Sequence, residues 1–565
     1  MRFDAVQEKS AYPGAIPYFP TLSWPEHDMV HTTRIQAYII CLAAGLILPG
    51  SFGDLVVAGG AAQDLLTAQE KSGKQIYVHG TSSGGREILA YLGESSLEVP
   101  GRTMPCANCH GLDGQGNPEG GVVPSNLTWE ALTKPYGVTH PGGRTHPPYT
   151  DRALARAITR GLDPAGNKLL NVMPHYQLSQ EDLGDLVAYL KQLGKDRDPG
   201  LTENSITIGT TIPARADLAG IGQAIKAVTT AFFEEVNSRG GIYNRKIELN
   251  INATADTPIT TRAKVQRFIQ DKQIFAMTSA FTAGADKELA ALMDNLHVPL
   301  IGPLTLYPQG GFPLNRHVFY ILSGIDGQAR ALVNFACQRM PDKRAGVLIV
   351  YSDDQMTKVV LEAIKDQCQK NGCGPPETYS YPHADSDVPT FAARLKQTSK
   401  SVIFFLGTGR EAIALMKEAT ELRWSPTFYL PGAVAGNEIL EAPPSFGQKI
   451  FISVSSSPDE QTAEGIEEFR ALAAKHKLPA HHLGVQKSVY SAVKVLIEGL
   501  KRAGKDLSRE KLIQALEGLY EYPTGVTPAV TYGLNRRIGA MGAYVVTIDL
   551  EKKQILPASG WIDSN

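Results

Sequence analysis

Cysteine is scarce in this sequence: six in 565 residues, at positions 41, 106, 109, 337, 368 and 373. So few thiols exclude a disulfide-stapled scaffold, and hydrophobic cores have to hold the chain together. At this length one core is too few, and roughly two to four domains are expected. Excess charge of either sign is also missing, since 55 basic and 57 acidic residues leave a formal net charge of -2. No broad basic field is available to bind nucleic acid. Catalytic signatures are thin as well. There is no Walker A loop and no H-E-x-x-H pair. Gly407-Thr408-Gly409 is too short to cradle a phosphate, and His481-His482 reads as a surface pair. The expectation is a binding or carrier protein rather than an enzyme.

Long apolar runs are absent too, with one short exception. Residues 37–48 (AYIICLAAGLIL) are almost uninterrupted apolar. Twelve helical residues reach about 18 Å, short of the roughly 30 Å of a bilayer core. Arg34 lies before the run and Val56-Val57-Ala58 after it. That order is a signal peptide; an uncleaved membrane anchor is the alternative. Residues 1–28 carry Pro13, Pro17, Pro20 and Pro25 and resemble no positive n-region. Met29 is therefore the expected start, with 29–58 the export signal and the remainder in the periplasm.

What is present in the next stretch is chemical. Cys106-Ala107-Asn108-Cys109-His110 is a C-x-x-C-H motif, the attachment signal of c-type haem. On a helix, positions i and i+3 share a face, so both thiols reach the two vinyl groups of one porphyrin. The histidine one residue on offers its imidazole to the iron. The rivals are a thioredoxin-like thiol pair or half a zinc site. Residues 101–105 do not read as the buried strand a thioredoxin motif follows, and no second C-x-x-C exists. Met173, 63 positions (173 − 110) after the histidine, stands before Pro174 and is the candidate second axial ligand. A packing methionine is the plain reading, and His140, His146 and His175 compete as ligands.

The flanks read as helices: 75–92 with a break at Gly84-Gly85, 151–160 with Asp151 at its start and Gly161 at its stop, and 179–193 with Ser179 as cap and Tyr189 on it. This arrangement resembles the class I cytochrome c family over about residues 70–194. The resemblance implies an all-α domain, assigned to 59–194, with one covalent haem c. It implies thioethers at Cys106 and Cys109, iron ligation by His110 and Met173, and an electron-exchanging protein partner. The Gly-, Pro- and His-rich insert at 119–149 departs from the family and leaves the packing over the haem open.

Residues 194–205, charged and containing Pro199-Gly200, read as a hinge, with the linker placed at 195–205. From Ile206 on, strands alternate with helices: strands at 206–212, 246–251 and 275–277, helices at 221–237, 261–270 and 286–295. A second run starts at 345–351 and continues at 401–406 and 427–430. Alternation of this kind implies parallel sheets, here in two α/β lobes with a cleft between them. Cys368 and Cys373 lie close enough to bridge if the chain turns between them; two free thiols are the alternative.

The string 234–249, with Asn237-Ser238-Arg239-Gly240-Gly241-Ile242, resembles a segment of type I periplasmic binding proteins of the branched-chain amino-acid family. Asn244 stands where that family has glycine, and asparagine also tolerates a left-handed backbone. Ile301-Gly302-Pro303-Leu304-Thr305 and Tyr351-Ser352-Asp353-Asp354 are similar to later landmarks. The resemblance implies a two-lobed α/β domain over 206–565. It implies that Ser279, Ala280, Thr282, Leu304 and Thr305 hold a ligand carboxylate, an amino acid or related small organic acid. The acidic residue that usually grips an amine is missing from 431–436. Two functions are expected from the fusion. One is electron transfer coupled to ligand binding; the other is the substrate-binding part of an ATP-driven importer, with a membrane permease as partner and the haem domain as accessory.

Overall fold

The computed structural model describes residues 66–564, apart from 94, 117, 119–120, 141, 341, 343–345, 353–354, 383–386 and 456–461. The expected export signal and start site lie outside these residues. Among the described residues no helix is long and apolar enough to cross a membrane. The chain forms two compact units, one ending at Asp198 and the other running on from Pro199.

The first unit runs α1 (Ala68–His79), β1 (Leu89–Leu92), β2 (Leu97–Pro100), α2 (Cys106–His110), α3 (Trp129–Leu132), β3 (Val138–Thr139), β4 (Thr145–His146), α4 (Asp151–Arg160), β5 (His175–Gln177) and α5 (Gln180–Leu190). It is not all-α. The helix expected over 75–92 ends at Gly80, whose φ of 63° is left-handed and whose N–H caps Ile76 O. A Cβ on Gly80 would lie 2.1 Å from the carbonyl oxygen of Gly101, so glycine is required there. Residues 89–92 then pair antiparallel with both β2 and β5 in a small sheet. Helix α4 has the expected bounds, but its cap is Thr150, which accepts from Ala153 N, rather than Asp151. Helix α5 begins at the expected Ser179 cap.

The frame of this unit is the crossing of α1 and α5. A Cβ on Gly73 would lie 2.0 Å from the carbonyl oxygen of Asp185 and 2.7 Å from Tyr189 Cβ. The helices therefore touch backbone to backbone, with Tyr77 and Tyr189 stacked at a tilt, 5.6 Å apart. Gly73→Ala is expected to pry them apart at a cost of about 1–3 kcal/mol. A lowered unfolding midpoint in denaturant, with an unchanged slope, checks it. Asp182, at the start of α5, ties down the loop between α1 and β1. It accepts from Arg86 Nε at 2.8 Å, Arg86 Nη2 at 3.1 Å and Ser82 Oγ. Gly80-Thr81-Ser82-Ser83-Gly84 has the spacing of a serine nucleophile elbow, but here Ser82 is an anchor on Asp182 in a helix-to-strand loop.

The second unit opens with β6 (Ser205–Ile212), α6 (Ala219–Ser238), β7 (Lys246–Ala253), α7 (Pro258–Asp271), β8 (Ala276–Thr278), α8 (Asp286–Leu296), β9 (Leu300–Ile301) and β10 (Val318–Leu322). It continues with α9 (Ile325–Arg339), β11 (Leu348–Tyr351), α10 (Gln355–Lys370), β12 (Glu377–Ser380), α11 (Val388–Gln397), β13 (Val402–Leu406), α12 (Gly409–Glu421), β14 (Thr427–Pro431), α13 (Gly432–Ala435) and β15 (Ile450–Val454). Helices α14 (Ala463–His476), α15 (Leu483–Ala503) and α16 (Arg509–Glu517) precede strands β16 (Ile538–Ala540), β17 (Gly542–Asp549), β18 (Gln554–Pro557) and β19 (Ile562–Asp563).

Two sheets result. The first lobe has the parallel order β16-β10-β9-β8-β6-β7; the second has β12-β11-β13-β14-β15-β17-β18, antiparallel only from β17 onward. Helices cover both faces, which is why strands such as β13 (VIFFL) are wholly apolar and buried along their length. The chain crosses between lobes three times: β10 to α9, β15 to α14, and β16 to β17. Asn244 has φ 65°, the left-handed backbone anticipated for it. Cys368 and Cys373, which the sequence left open as a bridge or two free thiols, do not pair. Cys373 bonds Cys337 of α9, with Cα atoms 6.6 Å apart, and Cys368 is a buried free thiol on α10.

Candidate functional site

In the first unit the motif cysteines sit where one helical turn presents them to a cavity. Pro105 precedes α2, and Gly111 ends it with φ 75°. Two tyrosines fix the short helix: Tyr176 Oη donates to Met104 O at 2.6 Å, and Tyr77 Oη donates to Gly111 O at 2.7 Å. Cys106, Cys109, His110 and Met173 all line one cavity of about 1080 Å3.

His110 is buried and its Nδ1 lies 2.9 Å from Ser125 O. A carbonyl only accepts, so Nδ1 carries the hydrogen and Nε2 keeps its lone pair. Burial lowers the pKa of the ring, outweighing the bond to Ser125, and favours the neutral imidazole that a metal requires. Burial pushes the Cys106 thiol up to about 12. A redox-active thiol pair needs the opposite shift. Met173 packs on the apolar core beside the cavity. Of its competitors, His140 and His146 line the cavity but bond to each other, Nε2 to Nε2 at 3.0 Å. His175 lies against Gly161 instead, where an added Cβ would be 2.1 Å from its Nε2.

The rest of the lining fits a porphyrin. Leu132, Leu154, Ile158, Leu169, Leu186 and Leu190 give apolar walls, and the charged residues around the cavity are Lys134 and Arg144, with no carboxylate among the described lining. A flat apolar macrocycle bearing two acid groups needs that combination. Sequence reasoning missed Ser125, Lys134, Arg144 and Tyr149, all within the insert that the resemblance left open. A backbone carbonyl such as that of Ser125 has no sequence signal at all.

In the second unit the expected ligand loops are laced together at the carboxyl ends of β6, β8 and β9. Phe281 N donates to Thr211 O at 2.9 Å, Leu304 N to Ala280 O at 2.9 Å, and Thr282 Oγ1 to Leu304 O at 3.4 Å. Ser279 (φ 51°), Ala280 and Thr282 are buried, while Leu304 and Thr305 are half-exposed. Thr305 Oγ1 accepts from Tyr307 N at 2.8 Å. Beside them lies a residue read in the sequence only as the start of a helix. Asp286 is buried, its Oδ1 has no hydrogen-bond partner, and burial raises its pKa against the lowering effect of Thr305 and Thr282. Residues 431–436 carry no acid, as the sequence indicated.

The model of the family described as periplasmic binding protein matches residues 205–554. The chain belongs to the periplasmic binding protein family. The cytochrome c family model matches residues 103–194 of the same chain. The periplasmic binding protein portion is similar to the Leu/Ile/Val-binding protein BraC3 of Rhizobium johnstonii, 25% identical over 337 residues, which covers 59% of this chain and 89% of that protein. Its fold is similar to a branched-chain amino acid ABC transporter protein of Thermus thermophilus with bound valine (TM-score 0.52, 14% identity, 64% of this chain and 97% of the other). It is also similar to a fatty acid ABC transporter substrate-binding protein of Thermomonospora curvata (TM-score 0.50, 17% identity, 65% and 95%). At these identities the likeness shows the fold alone.

Proposed function

We propose that this chain is an exported carrier of one c-type haem whose electron transfer is coupled to capture of a small ligand between the two lobes. One observation carries the reading: Cys106, Cys109, His110 and Met173 line one apolar cavity with no carboxylate among its described lining, in a chain that also holds a periplasmic binding protein domain. Bound there, haem supplies a one-electron couple. Cys106 and Cys109 hold it as thioethers, and His110 and Met173 offer nitrogen and sulfur to the iron, a pair that favours a high potential and electron transfer over oxygen chemistry. Ser125 keeps His110 in the metal-binding tautomer. The loops that carry Thr282, Leu304 and Thr305 lie at strand ends, where a carboxylate would seat, with Leu304 N and Thr282 Oγ1 given over to Ala280 O and Leu304 O. The ligand is an amino acid or a related organic acid. The family points to the periplasm, and a redox partner protein completes the path.

The test is the midpoint potential of the full chain with and without leucine, valine and an aliphatic acid. Ligand binding at 100 times Kd should add about 2.7 kcal/mol to the stability of the binding domain. The same ligand is expected to shift the potential; binding without any shift removes the coupling. The relatives favour a second reading, a substrate-binding component of an ATP-driven importer with an accessory haem domain. Ligand-dependent association with a membrane permease, at constant potential, selects it.

A further inference from the structure

We propose that His140 and His146 form a proton-binding site that fills when the cavity takes up an electron, so that this chain carries protons with its electrons. The inference rests on the reading of the cavity as a haem site and adds a function to it.

The pair is built by the β3–β4 ribbon. Its loop is closed by His140 N donating to Arg144 O at 2.8 Å and Gly143 N donating to His140 O at 2.9 Å. The two rings face each other with centroids 5.2 Å apart and Nε2 atoms 3.0 Å apart. His146 is buried, His140 half-buried, and both line the cavity. The protons can be placed. His146 Nδ1 lies 2.8 Å from Pro147 O, and a carbonyl only accepts, so that nitrogen carries a hydrogen. In the neutral ring His146 Nε2 is then the bare lone pair, and His140 Nε2–H must donate to it. That leaves His140 Nδ1 as the free base of the pair.

The charged and titratable surroundings are few. Arg144, in the same loop, is ion-paired to the fully buried Asp163 at 2.8 Å. Asp163 also takes Asn167 Nδ2 at 3.0 Å, and these bonds overcome burial and hold its pKa below the ordinary value. Arg156 of α4 donates to the carbonyls of Asp163 and Pro164. Tyr149 packs edge-on against His146, 5.0 Å between centroids, and Lys134 completes the charged lining. Among the described residues lining the cavity no carboxylate side chain is present to balance an imidazolium. Burial, then Arg144 and His146, accordingly lower the pKa of His140.

The sign of the coupling follows. With haem bound, its reduction by a one-electron donor would remove one positive charge from the cavity that both rings line. The imidazolium becomes less costly, and one proton from water adds to His140 Nδ1. No bond in the protein breaks, and charge balances.

The test uses the full-length holoprotein on a mediator-coupled electrode from about pH 5 to 8. The potential is expected to fall as pH rises through the titration of the pair, with a slope approaching about 59 mV per pH unit. Reduction in unbuffered solution should take up protons from a pH indicator. His140→Gln is expected to flatten the slope and abolish the uptake. A pH-independent native potential without uptake overturns the proposal. So does a slope unchanged in His140→Gln, which haem propionates alone would give. If His140→Gln does not mature, His146→Gln is measured in its place, with the same flattened slope and lost uptake expected and an unchanged slope overturning the proposal. A protein with no covalent haem bands refutes the haem reading itself, a failure distinct from a flat pH profile.

Discussion

Cys106→Ala with Cys109→Ala is expected to yield a chain whose pigment, if any, is extracted completely by acid acetone, and whose first unit does not hold its fold. The thioethers are lost with the sulfurs, which leaves only axial contacts. The larger consequence is volumetric. The cavity that Cys106 and Cys109 line measures about 1080 Å3 and sits against the core formed by Ile76, Leu154, Leu186 and Leu190. Without haem the apolar walls of that cavity would face water or empty space, and the burial that haem gives them would be lost. Limited proteolysis should therefore degrade the variant up to about the boundary at Asp198 and leave the unit from Pro199 intact, while the native chain resists at both. A double variant that resists as well as the native protein would show that haem does not support this core.

Asp182→Asn is the second large effect, with an expected loss of about 2–3 kcal/mol from the first unit. Asp182 is almost wholly buried and gathers Arg86, Ser82 and Ser179 onto the start of α5. The Arg86 guanidinium, with help from the two serines, holds its pKa at about 2. A carboxylate depressed from about 3.9 contributes stability that is fully present above that value and is lost as pH falls through about 2, of order 2 kcal/mol in all. Denaturant unfolding of the holoprotein at stepped pH checks both points. The native stability should decline between about pH 4 and 2, and the variant should begin lower and decline less over that window. Equal slopes for the two would remove Asp182 as the acid-sensitive anchor.

Much of this was legible in the chain. The α/β alternation from Ile206 on was plain, because strands buried on both faces carry runs such as Val402–Leu406 that no amphipathic helix would. The C-x-x-C-H spacing encodes its own geometry, since the helix repeat alone places both thiols together. Other features depend on partners distant in sequence. Residues 88–92 satisfy helical spacing locally, yet Ala90 pairs with Val99 on one side and Tyr176 on the other, and the latter lies beyond the reach of any local pattern. Cys373 has a nearer neighbour in Cys368 but bonds Cys337, because the packing of α9 on α10 decides the reach. The insert at 119–149 read as irregular chain; in the fold it supplies the carbonyl on His110 and the histidine pair on the cavity wall. Asp286 looked like a helix start and turned out to be a buried acid beside the ligand loops.

The most direct measurement is the visible spectrum of the full chain, produced in a host that exports and matures c-type cytochromes, before and after acid acetone extraction. Sharp ferrous bands of a single c-type haem per chain are expected, with the colour remaining on the protein pellet. A colourless protein, or one whose haem passes wholly into the acetone, would contradict the haem reading.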